Sequence, residues 1–170
     1  TGEAALHQRL RAGALHAHVA YGLTGSGGEP CDQPEGLAAL LREWRSLSKH
    51  SALVFTGREM MDIAPWLDRN PGLIDAVMTG PFRSDLPQTL ALRGSDNQRL
   101  HTLTPVGAEL SAFDRPADVS DRRLDVMFDD DGDAWMAGIP VRGDLARLRR
   151  ALTAAGHRAT TSAEAGMFSA

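Results

Sequence analysis

The sequence predicts an α/β fold with parallel strands, on three observations. Ala52-Leu53-Val54-Phe55 is short and wholly apolar, the pattern of a strand covered on both faces. Just before it, Leu37, Leu40, Leu41, Trp44 and Leu47 recur at helical spacing along one face. Strand-like and helix-like segments then alternate at intervals of about 20 to 30 residues, the rhythm of parallel strands joined by right-handed crossovers.

The elements follow in order. Ala4, Leu6 and Leu10 predict a short helix over Glu3 to Arg11, stopped at Gly13. Tyr21 to Thr24 reads as a strand running into Gly25-Ser26-Gly27-Gly28-Glu29-Pro30, where three glycines within four residues permit backbone conformations that side chains forbid. Asp32 is the expected N-cap of the helix that starts near residue 34, with Pro34 in its first turn and Glu35 three residues after the cap. The second strand ends at Thr56-Gly57. Met60, Ile63, Trp66 and Leu67 predict a helix from Glu59 to Asp68, which Asn70-Pro71-Gly72 terminates. A third strand is expected over Leu73 to Met78, ending at Thr79-Gly80-Pro81. From Phe82 to Val119 the periodicity gives no assignment. Leu124 to Phe128 and Ala134 to Ile139, around an Asp131-Gly132 turn, predict a hairpin, and Leu145, Leu148 and Leu152 a last helix ending at Gly156. The tail from Thr160 is expected to fray. Two domains are expected: a core over 1–115 and a hairpin-and-helix extension over 116–170.

Composition narrows the function. The chain has 170 residues, 42% hydrophobic and 24% charged, enough for one sizeable core. Eighteen basic against twenty-two acidic residues give a net charge of -4, so no basic surface invites a phosphate backbone and nucleic acid is not an expected partner. No apolar run approaches the ~20 residues that span a bilayer, and no charged-then-apolar leader is present; no membrane contact and a cytoplasmic location are expected. Cys31 is the only cysteine, which excludes an internal disulfide and any thiolate metal site built wholly from this chain.

In a parallel sheet, ligands bind at the carboxyl ends of the strands, where the Gly25 to Pro30 turn, Thr56-Gly57 and Gly80-Pro81 converge. The glycine turn fails the dinucleotide fingerprint, because the third glycine position is Pro30, and no Gly-Lys-Ser/Thr follows to make a P-loop. Glycines at a strand end expose peptide N–H and C=O groups, and Glu29 adds a carboxylate beside them, a combination suited to the ammonium and carboxylate of an amino acid. A tight strand-to-helix turn with Glu29 in solvent is the structural alternative.

Ser26-Gly27-Gly28-Glu29-Pro30 after a strand resembles the Gly-Gly-Glu motif of radical S-adenosylmethionine (SAM) enzymes. Phe55-Thr56-Gly57, Gly80-Pro81-Phe82 and Leu92-Arg93-Gly94-Ser95-Asp96-Asn97-Gln98-Arg99 with Leu100-His101 resemble one branch, the activating enzymes of anaerobic ribonucleotide reductase and their single-cluster relatives. The resemblance covers about residues 20 to 105. It implies a partial parallel (β/α) barrel lacking its first strand, with the hairpin and helix appended. It also implies that Ser26, Gly27, Gly28, Glu29, Thr56, Asn97 and Gln98 bind the cofactor, Glu29 near the ammonium of SAM. The implied chemistry is reductive cleavage of SAM by a [4Fe-4S] cluster to a 5′-deoxyadenosyl radical, with an electron donor and a glycyl-radical enzyme such as anaerobic ribonucleotide reductase as partners.

Two departures accompany this resemblance. The cluster cysteines of such enzymes, spaced Cys-x3-Cys-x2-Cys upstream of the glycine turn, are not in this chain, and Thr79 stands where an Asp is common. Truncation is the simplest expectation: the first strand and cluster loop would precede Thr1, consistent with the missing Met, and this chain alone would be inactive. A catalytically silent SAM-like ligand-binding or scaffold domain that has lost its cluster is the alternative.

The remaining candidates read as structural. Cys31 is expected to pack rather than ligate. His16 and His18 would share a strand face, but no third metal ligand accompanies them. Asp129 to Asp133 fails a calcium loop, since Gly132 at position six puts Met127 at position one and Gly138 at position twelve. Arg147, Arg149 and Arg150 form the solvated face of the last helix.

Overall fold

The computed structural model describes residues 22–26, 28–122, 124–128, 134–141 and 143–156. The chain divides between Pro116 and Ala117 into two units. The helix expected at Glu3 to Arg11, the histidines His16 and His18, Gly27, the Asp129 to Asp133 turn and the tail from Thr160 lie outside the described residues.

The first unit is a mixed α/β layer. Strands β1 (Gly22–Gly25), β2 (Ser51–Phe55), β3 (Ala76–Thr79) and β4 (Arg99–Thr102) form one sheet in that order. β1, β2 and β3 run parallel, with Gly25 beside Val54 and Val54 beside Val77, while β4 pairs antiparallel to β3, Val77 facing His101. The parallel pairs need helical crossovers, and α1 (Pro34–Leu47) and α2 (Met60–Arg69) supply them. No helix occurs between β3 and β4. Residues 80–98 fold back as a loop, so β4 returns in the opposite direction, and its four residues carry too little periodicity to be read from sequence.

Alternation along the strands separates two faces. Ala52, Val54 and Val77 pack with Leu37, Leu41 and Trp44 of α1 and Ile63 of α2 in one core. Leu53, Ala76 and Met78 point to the opposite face and are also buried, which explains the wholly apolar run in β2. Burying a side chain the size of Val54, Leu53 or Met78 stabilises the fold by about 1.5–3 kcal/mol. The apolar stripe of α1 is narrower than its spacing predicts: Leu47 is 43% exposed and only Leu37, Ala38, Leu41 and Trp44 are buried. Trp66 of α2 donates its indole N–H to the Pro34 carbonyl at 3.2 Å, tying α2 to the start of α1.

Asp75 anchors the other end of this layer. The residue is 3% exposed, and its carboxylate accepts from the Ala52 amide (2.7 Å), the Thr104 hydroxyl (2.5 Å) and the Arg45 guanidinium. The short 3₁₀ segment Gly107–Phe113 begins directly against its backbone, where a Cβ on Gly107 would lie 1.9 Å from the Asp75 oxygen.

One cap differs from expectation. Gln33, not Asp32, occupies the N-cap of α1 and makes no side-chain bond, because Pro30–Asp32 forms a 3₁₀ turn ahead of the helix. Asp32 instead pairs with Arg58 at the surface. The second unit contains the expected hairpin, β5 (Leu124–Phe128) antiparallel to β6 (Ala134–Gly138), and α3 (Asp144–Ala154). Gly156 follows α3 at φ +88°, a conformation suited to a residue without Cβ.

Candidate functional site

The carboxyl ends of β1 and β2 meet through one side chain. β1 ends at Gly25, Ser26 is exposed, and Gly28 turns the chain at φ +59° with no atom within 4 Å of where a Cβ would stand. That turn delivers Glu29 to the end of β2. Its Oε1 accepts from the Thr56 hydroxyl at 2.6 Å and the Cys31 amide at 3.0 Å, and its Oε2 accepts from the Gly57 amide at 2.7 Å. Glu29 also serves as N-cap of the Pro30–Asp32 turn, so one carboxylate closes β1 onto β2 and starts the next element.

Its electrostatics follow from these donors. Partial burial pushes the Glu29 carboxyl up, but the Thr56 hydroxyl and the Cys31 and Gly57 amides outweigh it and hold the group below its ordinary 4.5. Glu29 is therefore ionised at neutral pH. The adjacent Cys31 thiol is pushed up, chiefly by burial and then by the Glu29 charge, though the Thr56 hydroxyl opposes this. The thiolate is disfavoured there.

Thr56 links onward to β3. Its hydroxyl accepts from the Arg58 amide at 3.1 Å, and the Arg58 carbonyl accepts from the Gly80 amide at 2.9 Å. Gly80 has φ +100°, which favours glycine. Gln98 donates to the Gly80 carbonyl at 3.1 Å and accepts from the Gly94 amide at 2.8 Å, and Asn97 donates to the Pro81 carbonyl at 2.8 Å. Thr79 turns its hydroxyl to His101 Nε2 at 3.0 Å.

Of the residues singled out from sequence, Glu29 and Thr56 are brought into direct contact, and Ser26 and Gly28 flank them. Asn97 and Gln98 reach Gly80-Pro81 instead, where their amides bind main chain. Gly27 is outside the described residues. Sequence reasoning missed two functional-looking groups, Arg93 and Asp75. Arg93 is 4% exposed, and a charged residue inside a polar loop gives no burial signal.

A cleft of about 170 Å³ adjoins this turn, lined among others by Cys31, Leu37, Arg58, Ile63, Trp66 and Arg69. It lies between the start of α1 and α2.

The architecture is thus that of an α/β domain with an acidic, glycine-flanked turn at the carboxyl ends of parallel strands. Residues 3–101 match the family of 4Fe-4S single cluster domains. The match covers more than half of the chain, which belongs to that family. No curated protein and no solved structure matches the chain significantly.

The residues present do not fit the cluster itself. A [4Fe-4S] cluster is held by several cysteine thiolates, whereas this chain has Cys31 alone, with its thiolate disfavoured. Among the described residues, no three His, Cys, Asp or Glu side chains group to hold a metal.

Proposed function

We propose that this chain forms the SAM-seating part of a radical SAM protein, its sheet belonging to a partial (β/α) barrel and its function resembling that of an activase of anaerobic ribonucleotide reductase. The observation that carries the reading is the Glu29 carboxylate. It is ionised, fixed by Thr56, Gly57 and Cys31, and stands beside the exposed backbone of Gly28 at the strand ends. A fixed anion next to open peptide groups suits the ammonium of a zwitterionic head. Membership of a 4Fe-4S family supports the same class of chemistry.

The chain's own contribution is to bind and orient. Glu29 takes the ammonium, the Gly28 and Gly57 backbone lies close to the head, and Thr56 holds the carboxylate in one rotamer. SAM supplies a cleavable carbon–sulfur bond when bound. A glycyl-radical enzyme is the proposed partner.

Isothermal titration of the 170-residue chain with SAM tests this. Glu29→Ala is expected to weaken binding by about 1.5–3 kcal/mol, the range for losing a hydrogen bond to a charged group. Equal affinity of the two proteins would remove Glu29 from the site.

A further inference from the structure

Among the described residues Arg93 and Asp75 are the buried charged side chains, and the surroundings of Arg93 are unusual. Its side chain is 5% exposed, yet its counter-ion Asp114, at 2.5 Å from Nη2, is 60% exposed. Nε donates to the Gln98 carbonyl at 2.7 Å, while Nη1 is buried without a partner. Leu92, immediately before it, sits at φ +58°, where a residue with a branched side chain is strained. A buried guanidinium with one orphan donor and a half-solvated partner is a poor device for stability. Two unfavourable features in adjacent residues point to a geometric task.

That task is visible in the bonds beyond Arg93. Its Nε fixes the main chain of Gln98, whose side chain binds the Gly94 amide and the Gly80 carbonyl. Gly80 is bonded to the Arg58 carbonyl, and the Arg58 amide to the Thr56 hydroxyl that holds Glu29. The same loop is fastened from behind: the Ala91 amide donates to the Arg115 carbonyl at 3.0 Å, and Leu90 bridges Pro116. Asp114 is thus linked to Glu29 through a series of hydrogen-bonded residues, each bond sharing a residue with the next.

We infer that Arg93, braced by Asp114, is a positioning residue that holds the Gln98 strap on the Gly80–Pro81 turn and so sets the shape of the ligand seat at Glu29. The part concerning ligand rests on the SAM reading above; the part concerning the strap does not. A planar fork is needed for this, because Arg93 serves a carbonyl and a carboxylate from two different nitrogens. A lysine, as a point charge, does not reproduce it.

Hydrogen exchange on the full 170-residue chain tests the strap directly. Arg93→Lys is expected to accelerate exchange about tenfold at the Gly80, Gly94 and Ser95 amides, with the β2 amides of Leu53 and Val54 unchanged. Uniform acceleration, or none, would overturn the positioning role. Should Arg93→Lys not fold, Asp114→Asn, altering an exposed side chain, is expected to give the same local pattern at about threefold, and absence of that pattern would equally overturn it. SAM titration separates the two readings. Arg93→Lys is expected to lower affinity about fivefold; unchanged affinity in the face of faster Gly80 exchange would sink the ligand role of Arg93. Unchanged affinity in Glu29→Ala would sink the SAM reading and leave the exchange result to decide the strap alone.

Discussion

The Glu29 carboxylate and the Thr56 hydroxyl meet at 2.6 Å, joining the turn after β1 to the end of β2 across 27 residues of chain. Because Thr56 is 4% exposed, this contact is shielded on the hydroxyl side while the carboxylate keeps an open flank. The pair makes the strand ends a single structure, and it has a consequence in acid.

The folded-state pKa of Glu29 lies below its ordinary 4.5, through hydrogen bonds that overcome burial. Its contribution to stability is therefore complete above the unfolded value and is lost as pH falls through the folded one. Urea unfolding between about pH 6 and pH 3 is expected to show stability declining in acid. In Glu29→Gln the part of that decline due to this group disappears, and an identical pH slope in the two proteins would contradict the assignment.

Asp75 gathers Arg45, the Ala52 amide and the Thr104 hydroxyl onto one buried carboxylate. Asp75→Ala strands a cation and a buried amide, and a loss of about 3–5 kcal/mol is expected in chemical denaturation. A loss below about 1 kcal/mol would show that water replaces the carboxylate without cost.

Two glycines separate space from backbone conformation. Gly107→Ala places a Cβ 1.9 Å from the Asp75 oxygen, so either the 3₁₀ segment or β3 must move. A destabilisation of about 3 kcal/mol or more is expected. Gly72 has open space around it but φ +73°, and Gly72→Ala is expected to cost only about 1–2 kcal/mol. Thermal midpoints in the reverse order would refute the packing argument.

Cys31 is partly buried against Glu29 with its thiol pushed up. Slow alkylation at neutral pH is expected, faster in Glu29→Gln, where the raising charge is gone. Anaerobic iron and sulfide reconstitution of the 170-residue chain is expected to leave no [4Fe-4S] absorption, in the parent and in Cys31→Ser alike. A cluster lost on that substitution would make Cys31 a ligand.

The parallel half of the fold was legible because its signals are local. The apolar run of β2, the stripe of α1 and the Asn70-Pro71-Gly72 stop each reside within a few residues. The juxtaposition of Glu29 with Thr56-Gly57 followed from topology, since parallel strands bring their carboxyl ends together. What sequence could not supply was the use of long-range polar partners. Asp32 looks like an N-cap but is drawn to Arg58, and the bonds of the Gln98 amide to the main chain of Gly80 and Gly94 have no local signature. β4 escaped notice because its pairing to β3 is set by a helix-free loop with no period of its own. Asp75 and Arg93 escaped because charge reads as exposure until tertiary partners are known.

The most direct test is an NMR titration of the uniformly ¹⁵N-labelled 170-residue chain with SAM. Shift changes are expected to centre on the Gly28, Glu29 and Gly57 amides, extending to Gly80 and fading toward Leu37 and the Trp66 indole. Changes centred instead on the cleft between α1 and α2, or none at saturating SAM, would contradict it.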